Sequence, residues 1–175
     1  TSEFYTSETN ARANYYGITS YPTLKADGIK TLSGGGSASE SMYSYYVPLY
    51  NQRINQPAYF NIDLSCSSPV GTQYTVTCTV NDIEECPSDN LKVHIVLTQN
   101  HIQRSWQGMS ELNFVVRDMI PNQNGTAYSG GDITITETFD MGEYPKEDCY
   151  LTAWVQNAST KEVYQAVKLS LNYPD

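Results

Sequence analysis

From residue 57 onward the chain alternates between apolar and polar positions. This period of two is typical of half-buried β-strands, and clusters of Gly, Pro, Asn, Asp and Ser interrupt it as turns do. The pattern predicts seven strands, over residues 59–64, 74–80, 91–97, 112–116, 133–139, 150–155 and 163–171. Strands this short and numerous indicate two antiparallel sheets packed face to face, with Trp154 as a core anchor.

The first 56 residues instead mix short helical and extended segments. Residues 7–16 are rich in Ala, Glu and Arg and predict a short helix. Gly17 ends it, because glycine readily takes the left-handed conformation of a helix cap. A strand over residues 23–26 then reaches Asp27-Gly28, a pair typical of hairpin turns, which leads to a second strand over residues 29–32.

A longer helix is predicted over residues 38–55. Ser37 and Glu40 form a capping box at its start, and apolar residues at three- and four-residue intervals give it one apolar stripe. The stripe consists of Met42, Tyr45, Tyr46, Leu49, Tyr50 and Ile54. Pro48 is expected to kink or divide this helix.

Three short runs between the two predicted helices resemble a known fold. They are YGI at residues 16–18, YPTL at residues 21–24 and DG at residues 27–28, and together they resemble the second half of thioredoxin. The resemblance implies a cis peptide bond before Pro22, flanked by Tyr21 and Thr23. The reactive CxxC pair of thioredoxin belongs to the first half of that fold, which this chain does not include, so redox catalysis is not expected.

Two later runs carry a second resemblance. They are HIQRSWQGMSELNFVVRDMIPNQNGT at residues 101–126 and AWVQNASTKEVYQAVKLSL at residues 153–171. Both are similar to the C-terminal region of secreted bacterial thioredoxin-like, outer-membrane-protein-like proteins, in which an immunoglobulin-like sandwich directly follows the thioredoxin domain. The resemblance implies a mainly β fold, with a partial thioredoxin-like α/β segment over residues 1–56 and an immunoglobulin-like antiparallel β-sandwich over residues 57–175.

The chain has four cysteines, and none of them lies in a CxxC pair or near histidines at zinc-ligand spacing. They are Cys66, Cys78, Cys86 and Cys149. An even number predicts two disulfides in an oxidising compartment, although buried free thiols remain an alternative. Three connectivities are open. The turn at residues 69–71, which separates Cys66 from Cys78, weakly favours Cys66–Cys78 with Cys86–Cys149.

Composition and charge limit the classes of partner that we expect. The formal charge is −9, and the ten Lys and Arg residues form no cluster, so nucleic acid is not an expected partner. No run approaches the roughly 18 apolar residues that a membrane span requires, and the chain does not open with a basic-then-apolar leader. It begins at Thr1 rather than at a methionine, which suggests that an upstream piece has been removed. Fifteen Tyr residues among many Ser, Thr and Asn are typical of an extracellular surface. No cofactor or metal ion is expected.

A few residues are candidates for interaction or modification. Trp106 lies in a predicted loop, where it either plugs the end of the sandwich or anchors an interface. Tyr45 and Tyr46, on the stripe of the longer helix, are candidate interface residues. Asn124 and Asn157 match the glycosylation sequon in predicted turns, where an acceptor side chain would be exposed.

An incomplete thioredoxin half would leave an unpaired strand edge and an uncovered apolar face. Three occupants could cover them: an associated upstream half, the sandwich itself, or a neighbouring copy. The sequence therefore favours a non-catalytic, secreted cell-surface protein with a structural or adhesive role, such as a filament or surface-layer subunit. The main alternative is the accessory C-terminal portion of a secreted thiol–disulfide protein. A carbohydrate-binding module is a third hypothesis.

Overall fold

The computed structural model describes residues 4–37, 40–67, 70–106 and 108–172. Residues 4–56 form what we call the opening segment. It contains two helices that flank one antiparallel hairpin, in the order predicted from the sequence. These elements are α1 (Ser7–Tyr16), β1 (Thr23–Ala26), β2 (Lys30–Ser33) and α2 (Tyr43–Asn51).

Helix α1 has the predicted bounds, and local capping explains both ends. The Thr6 hydroxyl accepts a hydrogen bond from the Thr9 backbone N–H, and the Thr9 hydroxyl accepts one from the Thr6 N–H. These bonds satisfy donors that the first helical turn leaves free. At the other end Gly17 takes a φ of 65°, so it caps the helix as predicted.

The hairpin also follows from its local sequence. Asp27 and Gly28 have φ values of 46° and 75°, the left-handed conformation that a tight hairpin turn requires. Leu24 lies opposite Leu32 in the register of the two strands. The Tyr21–Pro22 peptide bond is cis, as the thioredoxin resemblance implies. The thioredoxin-like character of the whole segment remains a resemblance.

Helix α2 is shorter than predicted. It begins at Tyr43, its N-cap residue Met42 donates no side-chain cap, and it continues through Pro48 to Asn51. The predicted capping box does not cap this helix, because the Glu40 N–H donates to the Ser37 carbonyl in a turn ahead of it. Residues 38–39, within the predicted first turn, lie outside the described residues. No α2 residue is buried, so packing gains little from a longer helix.

The rest of the chain is β-rich. Ten described strands and one short 3₁₀ helix follow α2, and two of these strands form a hairpin that projects from the rest. The strands are β3 (Phe60–Cys66), β4 (Gln73–Asp82), β5 (Leu91–Gln99), β6 (Ile102–Trp106), β7 (Met109–Leu112), β8 (Val115–Ile120), β9 (Thr126–Tyr128), β10 (Ile133–Asp140), β11 (Cys149–Asn157) and β12 (Val163–Ser170), with the 3₁₀ turn at Lys146–Asp148. The projecting hairpin is formed by β6 and β7.

Two antiparallel sheets make the sandwich. One has the order β10–β4–β3, and the other has the order β12–β11–β5–β8, with the short β9 also paired to β5. The chain crosses between the sheets from β4 to β5, from β9 to β10 and from β10 to β11. This arrangement confirms the predicted mainly β, immunoglobulin-like sandwich. The predicted domain boundary after residue 56 falls between α2 and β3, and the division into domains remains a prediction.

The core lies between the sheets, and one core prediction is wrong. Inward-facing residues such as Phe60, Leu97 and Leu151 are fully buried there. Trp154 is not among them, because Ala153 and Val155 occupy the inward-facing positions on β11. Trp154 instead points from the outer face of the five-stranded sheet.

The predicted strand over residues 112–116 is also wrong. Leu112 ends β7 and Val115 begins β8, and between them Phe114 has a φ of 57°, which interrupts extended pairing. The hairpin of β6 and β7 and the short β9 were not predicted. The other six predicted strands correspond to β3, β4, β5, β10, β11 and β12.

Candidate protein-docking groove

The opening segment rests on the sandwich through the turn of its hairpin. The Val163 N–H donates to the Asp27 carbonyl at 3.0 Å. A Cβ atom on Gly28 would lie 1.8 Å from the Lys161 carbonyl oxygen, far inside van der Waals contact. Only glycine therefore fits at the tip of this hairpin, both for its φ and for the approach of the sandwich backbone.

Arg53, in the turn that follows α2, fixes the helix to the same place. Its Nε lies 2.9 Å from an Asp27 carboxylate oxygen, and its Nη2 lies 2.7 Å from a Glu162 carboxylate oxygen. The Arg53 side chain is only 12% exposed. One guanidinium thus joins the end of α2, the hairpin turn and the turn between β11 and β12.

A second network ties α1 to the sandwich. Arg12 Nη2 donates to the Gln156 side-chain oxygen and to the Tyr16 hydroxyl, both at 2.8 Å. The Gln156 amide nitrogen donates to the Tyr16 hydroxyl and to the Lys161 carbonyl. Gln156 is fully buried, so these bonds satisfy a polar group that water cannot reach. The sandwich is therefore one of the surfaces that cover the opening segment.

Among the described residues, no other element covers the surface between β1 and α2. Between β1 and α2 lies an apolar cavity of about 580 Å³, which we call the docking groove. Tyr50 and Ile54 on its rim are 58% and 53% exposed. The groove is lined by Leu24, Ala26, Asp27, Tyr46, Leu49, Tyr50, Arg53 and Ile54.

β1 supplies Leu24 and Ala26 to this groove. β1 pairs with β2 along one edge, and no described strand pairs with its other edge. An unpaired edge presents backbone N–H and C=O groups to solvent and accepts a further strand. An apolar face and an open edge thus occur together, a combination suited to docking an extended protein segment.

The predicted interface residues occupy different places. Tyr46 lines the docking groove, whereas Tyr45 lies on the flank of α2 and its hydroxyl lies 3.4 Å from a Glu40 carboxylate oxygen. Trp106 ends β6, is 55% exposed, and does not plug the sandwich. Tyr21 and Pro22 lie exposed directly before β1 and do not line the groove.

All four cysteines are free thiols, which contradicts the two predicted disulfides. In the register of β3 and β4, Cys66 lies opposite Val76 and Cys78 opposite Leu64, so the two thiols are not cross-strand partners. Cys149 lies opposite Gln99 at one end of β5, and Cys86 precedes the other end. The length of β5, roughly 25 Å at about 3.3 Å per residue, far exceeds the reach of a disulfide.

The environment of these thiols also disfavours thiolate chemistry. Burial raises the pKa of the Cys66 thiol to about 11. Burial together with the nearby Asp63 carboxylate raises the pKa of Cys78 to about 11, and burial beside Asp148 does the same for Cys149. Because the thiolate is the reactive form, a raised pKa makes these three thiols poor nucleophiles at neutral pH.

One predicted glycosylation site is wrong. Asn157 is only 3% exposed, and its amide nitrogen donates to the Ser88 hydroxyl and to the Asp89 carbonyl. Its side-chain oxygen accepts hydrogen bonds from the backbone N–H groups of Ser159 and Thr160. The amide therefore stabilises the surrounding turns, and its nitrogen has no free donor. Asn124 is exposed, and its glycosylation remains a prediction.

Two properties of the described residues bear on metal ions and membranes. Within the described ranges, no group of three His, Cys, Asp or Glu side chains is placed to hold a metal ion. The helices in those same ranges are too short or too polar to span a bilayer.

Comparisons with known proteins bear on the fold. No protein-family model and no curated protein matches the sequence. The solved structure of HBP35 of Porphyromonas gingivalis is similar with a TM-score of 0.74 and 16% identity, over 94% of this chain and 57% of that one. A domain of the outer membrane lipoprotein Omp28 from the same organism is similar with a TM-score of 0.52 and 18% identity, over 67% of this chain and 93% of that one. This chain thus shares the fold of both proteins and spans little more than half the length of HBP35.

Proposed function

We propose that this chain is a non-catalytic protein of a bacterial cell surface, and that it associates with a second copy of itself through the docking groove. The observation that carries the proposal is the open apolar groove beside the unpaired edge of β1. The occupant is the β1 edge of the second copy, which adds as a strand.

The distribution of charge supports a second copy as the partner. Residues 1–57 contain four basic and four acidic residues, whereas residues 58–175 contain six basic and fifteen acidic ones. The sandwich therefore carries the whole net charge of −9, and two sandwiches repel each other. The neutral opening segment is the part through which copies approach most easily.

Strand addition gives a symmetric arrangement. Two β1 strands side by side and antiparallel make a four-stranded sheet from two hairpins, related by a two-fold axis. Each Leu24 then packs against the groove of the other copy. A symmetric pair is closed, so a filament needs a second contact, for which the exposed Trp106 and Met109 of the β6–β7 hairpin are available.

Two observations support a non-catalytic surface role. Burial raises the pKa of the Cys66, Cys78 and Cys149 thiols to about 11, and these cysteines lie outside the opening segment, so they do not reproduce the reactive pair of a thioredoxin. The surface location is supported by the shared fold with a domain of an outer membrane lipoprotein.

Sedimentation velocity over a concentration series tests the proposal. We expect a reversible monomer–dimer equilibrium, and we expect Leu24→Lys to weaken it at least about tenfold because a charge at a strand edge opposes pairing. Ile83→Lys is the matched control, since Ile83 is also an exposed apolar residue but lies on the sandwich. A wild-type chain that remains monomeric at millimolar concentration contradicts the proposal.

A second candidate function is favoured by one observation. The chain spans only 57% of HBP35, so the remainder of a longer protein is an alternative occupant of the groove. In that case the chain is the accessory C-terminal portion of a secreted thiol–disulfide protein. A gene product with an upstream CxxC pair, together with a monomeric chain, would favour this candidate.

A further inference from the structure

A second concave apolar site lies between α1 and the five-stranded sheet, and it shares no lining residue with the docking groove. We call it the outer-face trough, because its floor is the outer face of the five-stranded sheet. Thr152, Val96 and Met119 are cross-strand neighbours on β11, β5 and β8, and they form one row of this floor. The cavity has a volume of about 530 Å³, within the range of about 300–1,000 Å³ typical of small-molecule sites.

The two walls of the trough differ. Arg12 and Tyr16 of α1 form one wall together with Trp154. The opposite wall is Phe114, whose ring is 63% exposed. The wall residues thus supply aromatic surface on both sides of a narrow apolar floor.

Phe114 is held in an unfavourable conformation to form this wall. Its φ of 57° is uncommon for a bulky side chain and strains the backbone. The buried Asn100 side chain keeps it there, because the Phe114 backbone N–H donates to its oxygen at 2.7 Å. An exposed aromatic ring held by a strained backbone beside a cavity is typical of a ligand contact.

Cations flank the trough on both sides. Arg12 lines one wall, and the Lys168 ammonium lies 4.7 Å from the centre of the Tyr150 ring and 5.6 Å from that of Phe114. The ion pairs among the described residues involve Arg53 and His101 but neither of these two cations. In a chain of net charge −9, these two cations form no ion pair among the described residues, so they place positive charge beside an apolar surface where an anionic group can approach it.

We propose that the outer-face trough binds a small amphipathic anion, with an apolar body on the floor formed by Val96, Thr152 and Met119 and its anionic group beside Lys168 or Arg12. A fatty acid has this chemistry. Small-molecule sites typically carry a few polar groups among their apolar residues, and here the threonine hydroxyls along the floor are such groups. This site is independent of the docking groove and does not rest on self-association.

Calorimetric titration of the chain with decanoate and with decanol tests the site. We expect saturable one-to-one binding of decanoate, and weaker binding of decanol because it lacks the charge. Lys168→Gln should weaken the binding of decanoate about fivefold and leave the binding of decanol unchanged. Lys168 is exposed, and an exposed ion pair contributes about that much to affinity. Lys30→Gln, on the hairpin of the opening segment, is the matched control.

Two further variants test the apolar part. Phe114→Ser should weaken both ligands by similar factors, whereas Trp106→Ser, which removes another exposed aromatic ring, should change neither. Thr152→Trp should fill the trough and abolish the binding of both ligands. Equal binding of decanoate and decanol would overturn the anionic preference. Binding that survives Thr152→Trp, or no binding of either ligand, would overturn the site.

Discussion

At the scale of single residues, Gly28 supports the contact between the two parts of the chain. The Lys161 carbonyl occupies the space where any other residue would place its Cβ, and that carbonyl is backbone, so it has little freedom to move. The same carbonyl accepts a hydrogen bond from buried Gln156. One backbone group thus fixes both the hairpin and the α1 network.

We predict that Gly28→Ala lowers the free energy of unfolding by about 2 kcal/mol or more, because the methyl clash adds to the strain at positive φ. Urea unfolding measures the loss. Gly71→Ala is the control for strain alone, since Gly71 has a similar φ of 66° and no atom within 4 Å of its Cβ position. If the two variants lose equal stability, the close contact with Lys161 does not contribute to the free energy of unfolding.

His94 is the residue that should make stability depend on pH. It lies buried on the outer face of the sheet, stacked on Trp154, and its Nδ1 has no hydrogen-bond partner. Burial, with Arg12 and Lys92 nearby, lowers the pKa of His94 to about 3. The imidazole is therefore neutral in the folded chain, whereas the unfolded chain takes up a proton below about pH 6.5.

We predict that the fold loses about 3 kcal/mol through His94 between pH 7 and pH 4.5, because only the unfolded state is protonated there. The loss continues as the pH falls toward the folded pKa. Burial raises the pKa of Glu8 and of Asp118, and this makes the folded state more stable as the pH falls, opposite to the effect of His94. The wild type must therefore be compared with a variant that keeps both carboxyl groups. His94→Phe should show a flatter pH dependence of urea unfolding. Parallel curves for the two proteins would contradict this assignment.

Residues with local roles could be predicted from the sequence, and residues with distant partners could not. Gly17 and the Asp27-Gly28 pair act on their own backbone, so their chemistry is visible in a few neighbouring letters. Arg12 is fixed by Gln156, which lies 144 residues further along the chain. No local pattern marks such a pair, and the buried role of Asn157 was hidden for the same reason.

At the scale of elements, α2 is attached to the rest of the molecule chiefly by Arg53. No α2 residue is buried, so the helix gains little from core packing. The Arg53 guanidinium supplies the connection through Asp27 and Glu162. The position of the groove wall therefore depends on a polar contact rather than on a hydrophobic one.

We predict that Arg53→Met increases amide hydrogen exchange in residues 43–51 at least about tenfold, which corresponds to about 1.4 kcal/mol of local stability. Exchange in β11 should not change, because the sandwich core is intact. Lys30→Met is the control for loss of a cation from the same segment. Equal exchange in α2 of the wild type and Arg53→Met would show that another contact holds the helix.

The strands that could be predicted are those with one buried and one exposed face. β4 and β10 alternate clearly because the core covers only their inner sides. β6 is exposed along most of its length, so it has no apolar period. The Leu112 to Val116 run has the composition of one strand, but Asn100 binds the Phe114 backbone and divides it.

At the scale of the whole molecule, the opening segment is half covered. The sandwich binds α1 and the hairpin turn, and the groove between β1 and α2 remains open. The uncovered strand edge and apolar face could be anticipated from the resemblance to one half of a thioredoxin fold. The side that the sandwich covers could not be anticipated, because it depends on distant pairs such as Arg53 with Glu162.

Hydrogen exchange at increasing chain concentration tests the central claim most directly. If a second copy adds to the edge of β1, amides of residues 23–26 and 43–51 become more protected as the concentration rises, while amides of β10 do not change. Protection of residues 23–26 that is the same at every concentration, with the groove still open, would contradict the account.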